Sequence, residues 1–183
     1  TKKEYDVKIE LHNVDEYMNV LGELEIKGFL KGKPNLILRE SQDIEKILPQ
    51  VREKNYKVTM FYEGKKDYLK EYSDCSLVYF RIYGFSQKTY DRINKYDWNE
   101  IKRNIEKNVN ILKGTVPCKI EYILYQFNFC ELHIARQWAE ELGIELVLKY
   151  GCFDDSLKLK YASDEMSTKE MIVYSKEYFF TNY

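Results

Sequence analysis

Four cysteines and two histidines are the residues of this 183-residue chain best suited to metal or redox chemistry. They are Cys75, Cys118, Cys130, Cys152, His12 and His133. None of the cysteines forms a CxxC or CxxxCxxC group, so their spacing does not converge thiolates on one metal. Unpaired thiols in a reducing compartment are the simpler expectation. His12 follows an apolar stretch and His133 opens a helical one, positions that suit packing or capping. Asp154 and Asp155 form an acidic pair in what reads as a solvated turn. No GxSxG elbow, phosphate loop, HExxH or GxGxxG occurs, and no carboxylate spacing singles out an acid–base pair.

Those side chains need elements to position them, and the chain supplies an alternation. Residues 7–11, 56–62, 77–83, 118–127 and 144–150 read as strands. Residues 14–21 read as a short helix, and "LEIKGF" at 24–29 alternates again as a strand does. Ile44, Ile47, Leu48 and Val51 mark one helical face, with Pro49 inside it as an expected kink. Residues 65–72 read as a short helix. In "VYFRIYGFSQKTYDRI", a strand stops at Gly84 and Ser86 can cap the helix that follows. Asp97 and Glu100 have capping-box spacing ahead of Ile101, Ile105, Val109 and Leu112, and Gly114 stops that helix. Ile134, Trp138 and Leu142 align on a helix over 131–142. Strands alternating with helices imply crossovers and a parallel sheet with a helical outer layer. In such sheets ligands sit at the C-terminal strand ends.

Bulk composition narrows the partners. Charges nearly cancel, 29 basic against 30 acidic, for a net charge of -1. This makes no electrostatic case for nucleic acid or an anionic membrane. No apolar run approaches 18 residues and no signal-peptide pattern opens the chain, so a soluble, cytoplasmic protein is expected. The chain opens on Thr1 rather than Met, consistent with a piece of a longer protein.

Several local patterns together resemble the radical S-adenosylmethionine superfamily over residues 31–150. "GKPNLILRESQDIEKILPQVREKNYKVTMFYEG" is similar to that family's GEP turn, the helix after it and a strand ending in a Thr-Asn-Gly-like turn. "FRIYGFSQKTYDRI" resembles its fourth strand and loop, and "DWNEIKRNIEKNVNIL" its next helix. "YILYQFNFCELHIARQWAEELGIELVLK" resembles the fifth strand, a helix and the sixth strand. The resemblance implies an α/β fold, a partial (β/α)6-type barrel with mostly parallel strands. The barrel domain is expected over residues 1–150, with residues 151–183 as a C-terminal extension packed on it, since exposing the adjacent Tyr178, Phe179 and Phe180 would be costly.

The same resemblance implies a cofactor pocket at the C-terminal strand ends, with Gly32, Lys33 and Pro34 at the GEP position. Tyr62 and Glu63 occupy the Thr-Asn-Gly-like turn, while Arg81, Tyr83, Gln126 and Asn128 complete the lining. The departures are equally specific. The CxxxCxxC loop that would hold a [4Fe–4S] cluster is absent from this chain. Lys33 stands where the family has a carboxylate, and Arg81 replaces a small polar residue. Two expectations for Lys33 and Arg81 stay open: together they bind an anion, or Arg81 pairs with Glu63 and plugs the vacated site. The implied function is a radical SAM-like barrel protein without its own cluster, a degenerate member or a fragment of an enzyme. S-adenosylmethionine and a cluster are expected only if the motif lies upstream of Thr1. The alternative is a non-catalytic α/β module binding a partner protein or small ligand, for which 17 Tyr and 9 Phe would suit a recognition surface. A flavodoxin-like open sheet is a third reading.

Overall fold

The computed structural model describes residues 8–10, 14–30, 32–40, 44–67, 70–93 and 95–151. His12, Asp154, Asp155, Cys152 and the expected packing of residues 152–183 lie outside them.

Among the described residues six strands form the centre: β1 Lys8–Glu10, β2 Asn35–Arg39, β3 Lys57–Tyr62, β4 Leu77–Ile82, β5 Cys118–Leu124 and β6 Glu145–Tyr150. They pair in sequence order, β1-β2-β3-β4-β5-β6, and every pairing is parallel. The expectation of parallel neighbours for the last four strands is met. Among the described residues the order never reverses and shows no topological switch point, and the flavodoxin-like reading is corrected on that ground.

The helices are α1 Val14–Ile26, α2 Ile44–Glu53, α3 Gln87–Ile93, α4 Trp98–Leu112 and α5 Leu132–Leu142. α4 starts because the Asp97 carboxylate accepts the backbone N–H groups of Asn99 and Glu100, two of the donors a helix start leaves unpaired. α5 stops at Gly143, whose left-handed φ of 70° suits a residue without Cβ. α2 runs through Pro49, its buried face being Ile44, Ile47, Leu48 and Val51 as the periodicity implies.

Three boundaries differ from the sequence reading. Residues 24–26 belong to α1, and Gly28 at φ 69° ends the run, so the alternation in "LEIKGF" is the edge of a helical stripe. The helix expected over 65–72 is a short 3-10 turn, Lys70–Asp74. β5 ends at Leu124, and Gln126–Glu131 is a second 3-10 turn.

One face of the sheet carries the apolar core. Tyr62, Phe80, Ile120 and Tyr122 are fully buried there, beneath Ile105 of α4 and Trp138 of α5. Ile105 and Trp138 are thus buried as expected. An aromatic cluster closes the layer beyond β4, where Phe85 meets Trp98 at 4.9 Å and Trp138 at 5.3 Å between ring centres. Edge-on aromatic contacts of this kind add to the area they bury.

Candidate functional site: the C-terminal strand ends

Alternate residues of a strand point to opposite faces. Tyr62 faces the helices, because its hydroxyl accepts from Asn108 of α4 at 3.0 Å. Its neighbours Phe61 and Glu63 therefore look to the other face, and register carries that face across the sheet. Arg39 lies beside Phe61, Phe61 beside Tyr79, Arg81 beside Glu121, and Ile123 beside Lys149. This face is aromatic and charged rather than aliphatic.

Its centre is an ion pair. Arg81 Nε donates to Glu121 Oε1 at 2.7 Å, and both side chains are more than nine-tenths buried. The guanidinium stacks on Phe61 at 4.4 Å, and Phe61 stacks on Tyr79 with rings 9° from parallel. Burial works against the Arg81 charge, but Glu121, Tyr83 and Glu63 outweigh it and hold the guanidinium protonated. Nearby, Lys65 lies 2.6 Å from Glu63, and the Tyr83 hydroxyl donates to Glu63 at 2.7 Å. Burial pushes the Glu63 carboxyl up, yet Lys65, Tyr83 and Arg81 bring it below the ordinary carboxylate value. Glu40, just after β2, behaves oppositely. It accepts the backbone N–H groups of Glu63 and Lys66, but burial wins and its carboxyl is raised.

Beyond the ion pair lies a cavity of about 130 Å³. Arg39, Arg81, Tyr83, Ile123, Tyr125, Lys149, Tyr150 and Gly151 line it, at the C-terminal ends of β2, β4, β5 and β6. Two polar devices shape this rim. Asn128 is completely buried and ties β4 to β5: its amide donates to the Tyr83 and Ile123 carbonyls at 2.8 Å and its oxygen accepts the Tyr125 N–H at 2.8 Å. Glu131 pins the turn after β4 by accepting from Phe85 N at 2.6 Å, Thr89 Oγ1 at 2.8 Å and Ser86 Oγ. Gly84 is needed in that turn because a Cβ would overlap the Thr89 side chain. The strand stops there because a side-chain carboxylate and a glycine replace its ladder.

No family model matches the chain, and no curated protein matches it.

The expected site residues separate. Arg81 and Tyr83 line the cavity, and Glu63 lies behind Tyr83. Gly32, Lys33 and Pro34 precede β2 and so sit at the opposite, N-terminal end, where the Pro34 carbonyl accepts the N–H of Lys57 and Lys33 pairs with Glu25. Lys33 and Arg81 do not share a pocket. Tyr62 turns into the helical layer and Gln126 is exposed in the 3-10 turn. Asn128 braces the rim from behind. The expected Arg81–Glu63 pair is corrected to Arg81–Glu121, since these two are direct partners in strand register. Sequence reasoning missed Arg39, Glu121, Tyr125 and Lys149. The available signal was period-two alternation: Tyr83 follows Arg81 by two positions at the end of β4, as Tyr125 follows Glu121 and Ile123 at the end of β5.

Cys75 lies just before β4 and Cys118 opens β5, both at the N-terminal ends, whereas Cys130 lies past the other end of β5. Seven strand residues at roughly 3.3 Å each separate the two ends. Among the described residues, no group of three His, Cys, Asp or Glu side chains is placed to hold a metal ion. The three described cysteines do not converge on one cluster. His133 is exposed on α5, beside a larger hollow of about 590 Å³ with Phe129, Arg136 and Glu140. Among the lining residues of that hollow the ionisable side chains are exposed, so it lacks the built polar core of the strand-end cavity. No described helix is long and apolar enough to cross a membrane.

Proposed function

We propose that this chain is a radical SAM-like partial-barrel module that acts by binding a small ligand at the C-terminal ends of its strands, without radical chemistry of its own. The observation that carries the reading is the cavity at those ends of a sheet wound in strict sequence order, the place and topology in which β/α barrels hold their ligands. The buried Arg81–Glu121 pair supports the loss of the parent cofactor site. Its guanidinium takes up room on the charged face, and about 130 Å³ falls below the roughly 300–1,000 Å³ of a pocket for a drug-sized molecule.

The test is a titration followed by amide chemical shifts of Tyr83, Tyr125 and Gly151. S-adenosylmethionine should produce no saturable shift, and at least one compound of a small-molecule panel should move these amides together. Anaerobic reconstitution with iron and sulfide should yield no stoichiometric charge-transfer absorption. Micromolar binding of S-adenosylmethionine would refute the loss of the cofactor site. A panel without any compound that moves the rim amides would refute the binding role.

A further inference from the structure

We propose that the strand-end cavity is an oxyanion site, taking the carboxylate or phosphate group of a small molecule between Arg81, Arg39 and Lys149. This deepens the binding role proposed above and rests on it. Its main support is Arg81. The residue is 7% exposed and its side chain commits Nε to Glu121 through one contact. A guanidinium has five N–H donors, so the four on its Nη atoms remain, and none has a hydrogen-bond partner among the described residues. Glu121 balances the charge but does not take the fork, whose planar geometry matches two oxygens of a carboxylate or phosphate. No Nη atom of Arg81 is among the fully buried unpaired side-chain atoms of the described residues, and Arg81 lines the cavity, so these donors open onto that space rather than into the packed core.

The walls agree in sign. Arg39 reaches the cavity from β2 and Lys149 from β6, so three strands each deliver a cation to one small volume. No carboxylate lines it among the described residues. The two acids behind it, Glu121 and Glu63, are held by Arg81 and by Lys65 and Tyr83 respectively. Lys149 is exposed and makes no ion pair among the described residues. The Tyr83 hydroxyl is already committed as a donor, so specificity comes from the cations. The volume suits one oxyanion group with a few attached atoms, and a larger ligand would extend past Gly151. That glycine is itself fitted to the rim, because a Cβ would overlap the Tyr125 ring.

Isothermal titration with inorganic phosphate in one arm and acetate in the other, at constant ionic strength set with chloride, tests the assignment. At least one should bind saturably above chloride, and which one does separates a phosphoryl from a carboxylate ligand. Lys149→Gln and Arg39→Gln, both at exposed positions, should each weaken binding by about tenfold, as loss of one charged contact does. Binding of neither anion above chloride, or unchanged affinity in both variants, would overturn the oxyanion assignment. If an uncharged compound moves the Tyr83 and Tyr125 amides while neither anion binds, the oxyanion assignment fails and the binding role stands. If nothing moves them, both fail.

Discussion

Truncating Asn128 to alanine should destabilise the protein by about 3–6 kcal/mol and loosen the rim of the cavity. The side chain makes three hydrogen bonds at 2.8 Å, two to carbonyls of β4's end and β5 and one from the Tyr125 N–H. At about 1 kcal/mol net for each, the bonds alone amount to roughly 3 kcal/mol. The residue is completely buried, so the Tyr125 N–H is then orphaned and adds about 1–3 kcal/mol unless water enters. The contact between the Tyr122 hydroxyl and the Asn128 backbone carbonyl survives the truncation. In a chain of this size the loss corresponds to a fall in Tm of about 6–24 °C. Urea denaturation monitored by tryptophan fluorescence measures the change, and amide exchange at Tyr125 reports the rim. Asn128→Asp should be worse than alanine, because it turns a carboxylate toward two carbonyl oxygens. A loss below about 1 kcal/mol, or an aspartate variant as stable as the parent, would refute the view that this amide clamps the strand ends.

Arg81→Met should cost about 3–5 kcal/mol by leaving Glu121 buried without its partner, and the double variant Arg81→Met/Glu121→Leu should recover most of that loss in the same urea assay. A double variant as unstable as the single one would mean that the pair is not the unit that matters. The Glu63 carboxyl is held below its ordinary value of 4.5, so the folded state binds its proton more weakly than the unfolded state. Its stabilisation is present above pH 4.5 and fades as pH falls through the depressed value, so Glu63→Gln should flatten the acid limb of the stability–pH curve. Among Cys75, Cys118 and Cys130, iodoacetamide at pH 8 should label exposed Cys130 first. Burial pushes Cys75 up to about 12 and Cys118 up to about 11, leaving about 10⁻⁴ of Cys75 as thiolate at that pH. Mass spectrometry of the labelled native chain reads the order, and early labelling of Cys75 would contradict its burial.

Local chemistry in the chain was enough to determine most of the elements and their type, though not β2, the end of α1 or the 3-10 turn at Lys70–Asp74. Asp97 starts α4 and Gly143 stops α5 because capping is settled by a few neighbouring atoms. The alternation of apolar strands with amphipathic helices implied parallel pairing, since a parallel neighbour requires a crossover. Ile105 and Trp138 were legible as buried for the same reason, a helical period facing a sheet. Where a local period was ambiguous, as at residues 24–29, the longer run of α1 prevailed up to Gly28. Motif resemblance was a weaker guide than periods: Gly32-Lys33-Pro34 precedes its strand, and direction along a parallel strand decides which end of the sheet a residue occupies.

The site itself was decided only in three dimensions. Arg81 could have paired with any nearby acid, and Glu63 is 18 positions away in the chain whereas Glu121 is 40. Parallel register selects Glu121, because it places the two Cα atoms side by side on the same face. The same geometry gathers Arg39, Arg81 and Lys149, which are far apart in sequence, around one cavity. Strand alternation tells which residues share a face of one strand, but the offset between strands is set by helix packing and by clamps such as Asn128 and Glu131. A charged, aromatic face opposite an apolar one is therefore a tertiary property: each strand contributes two or three side chains, and only their alignment makes them a site.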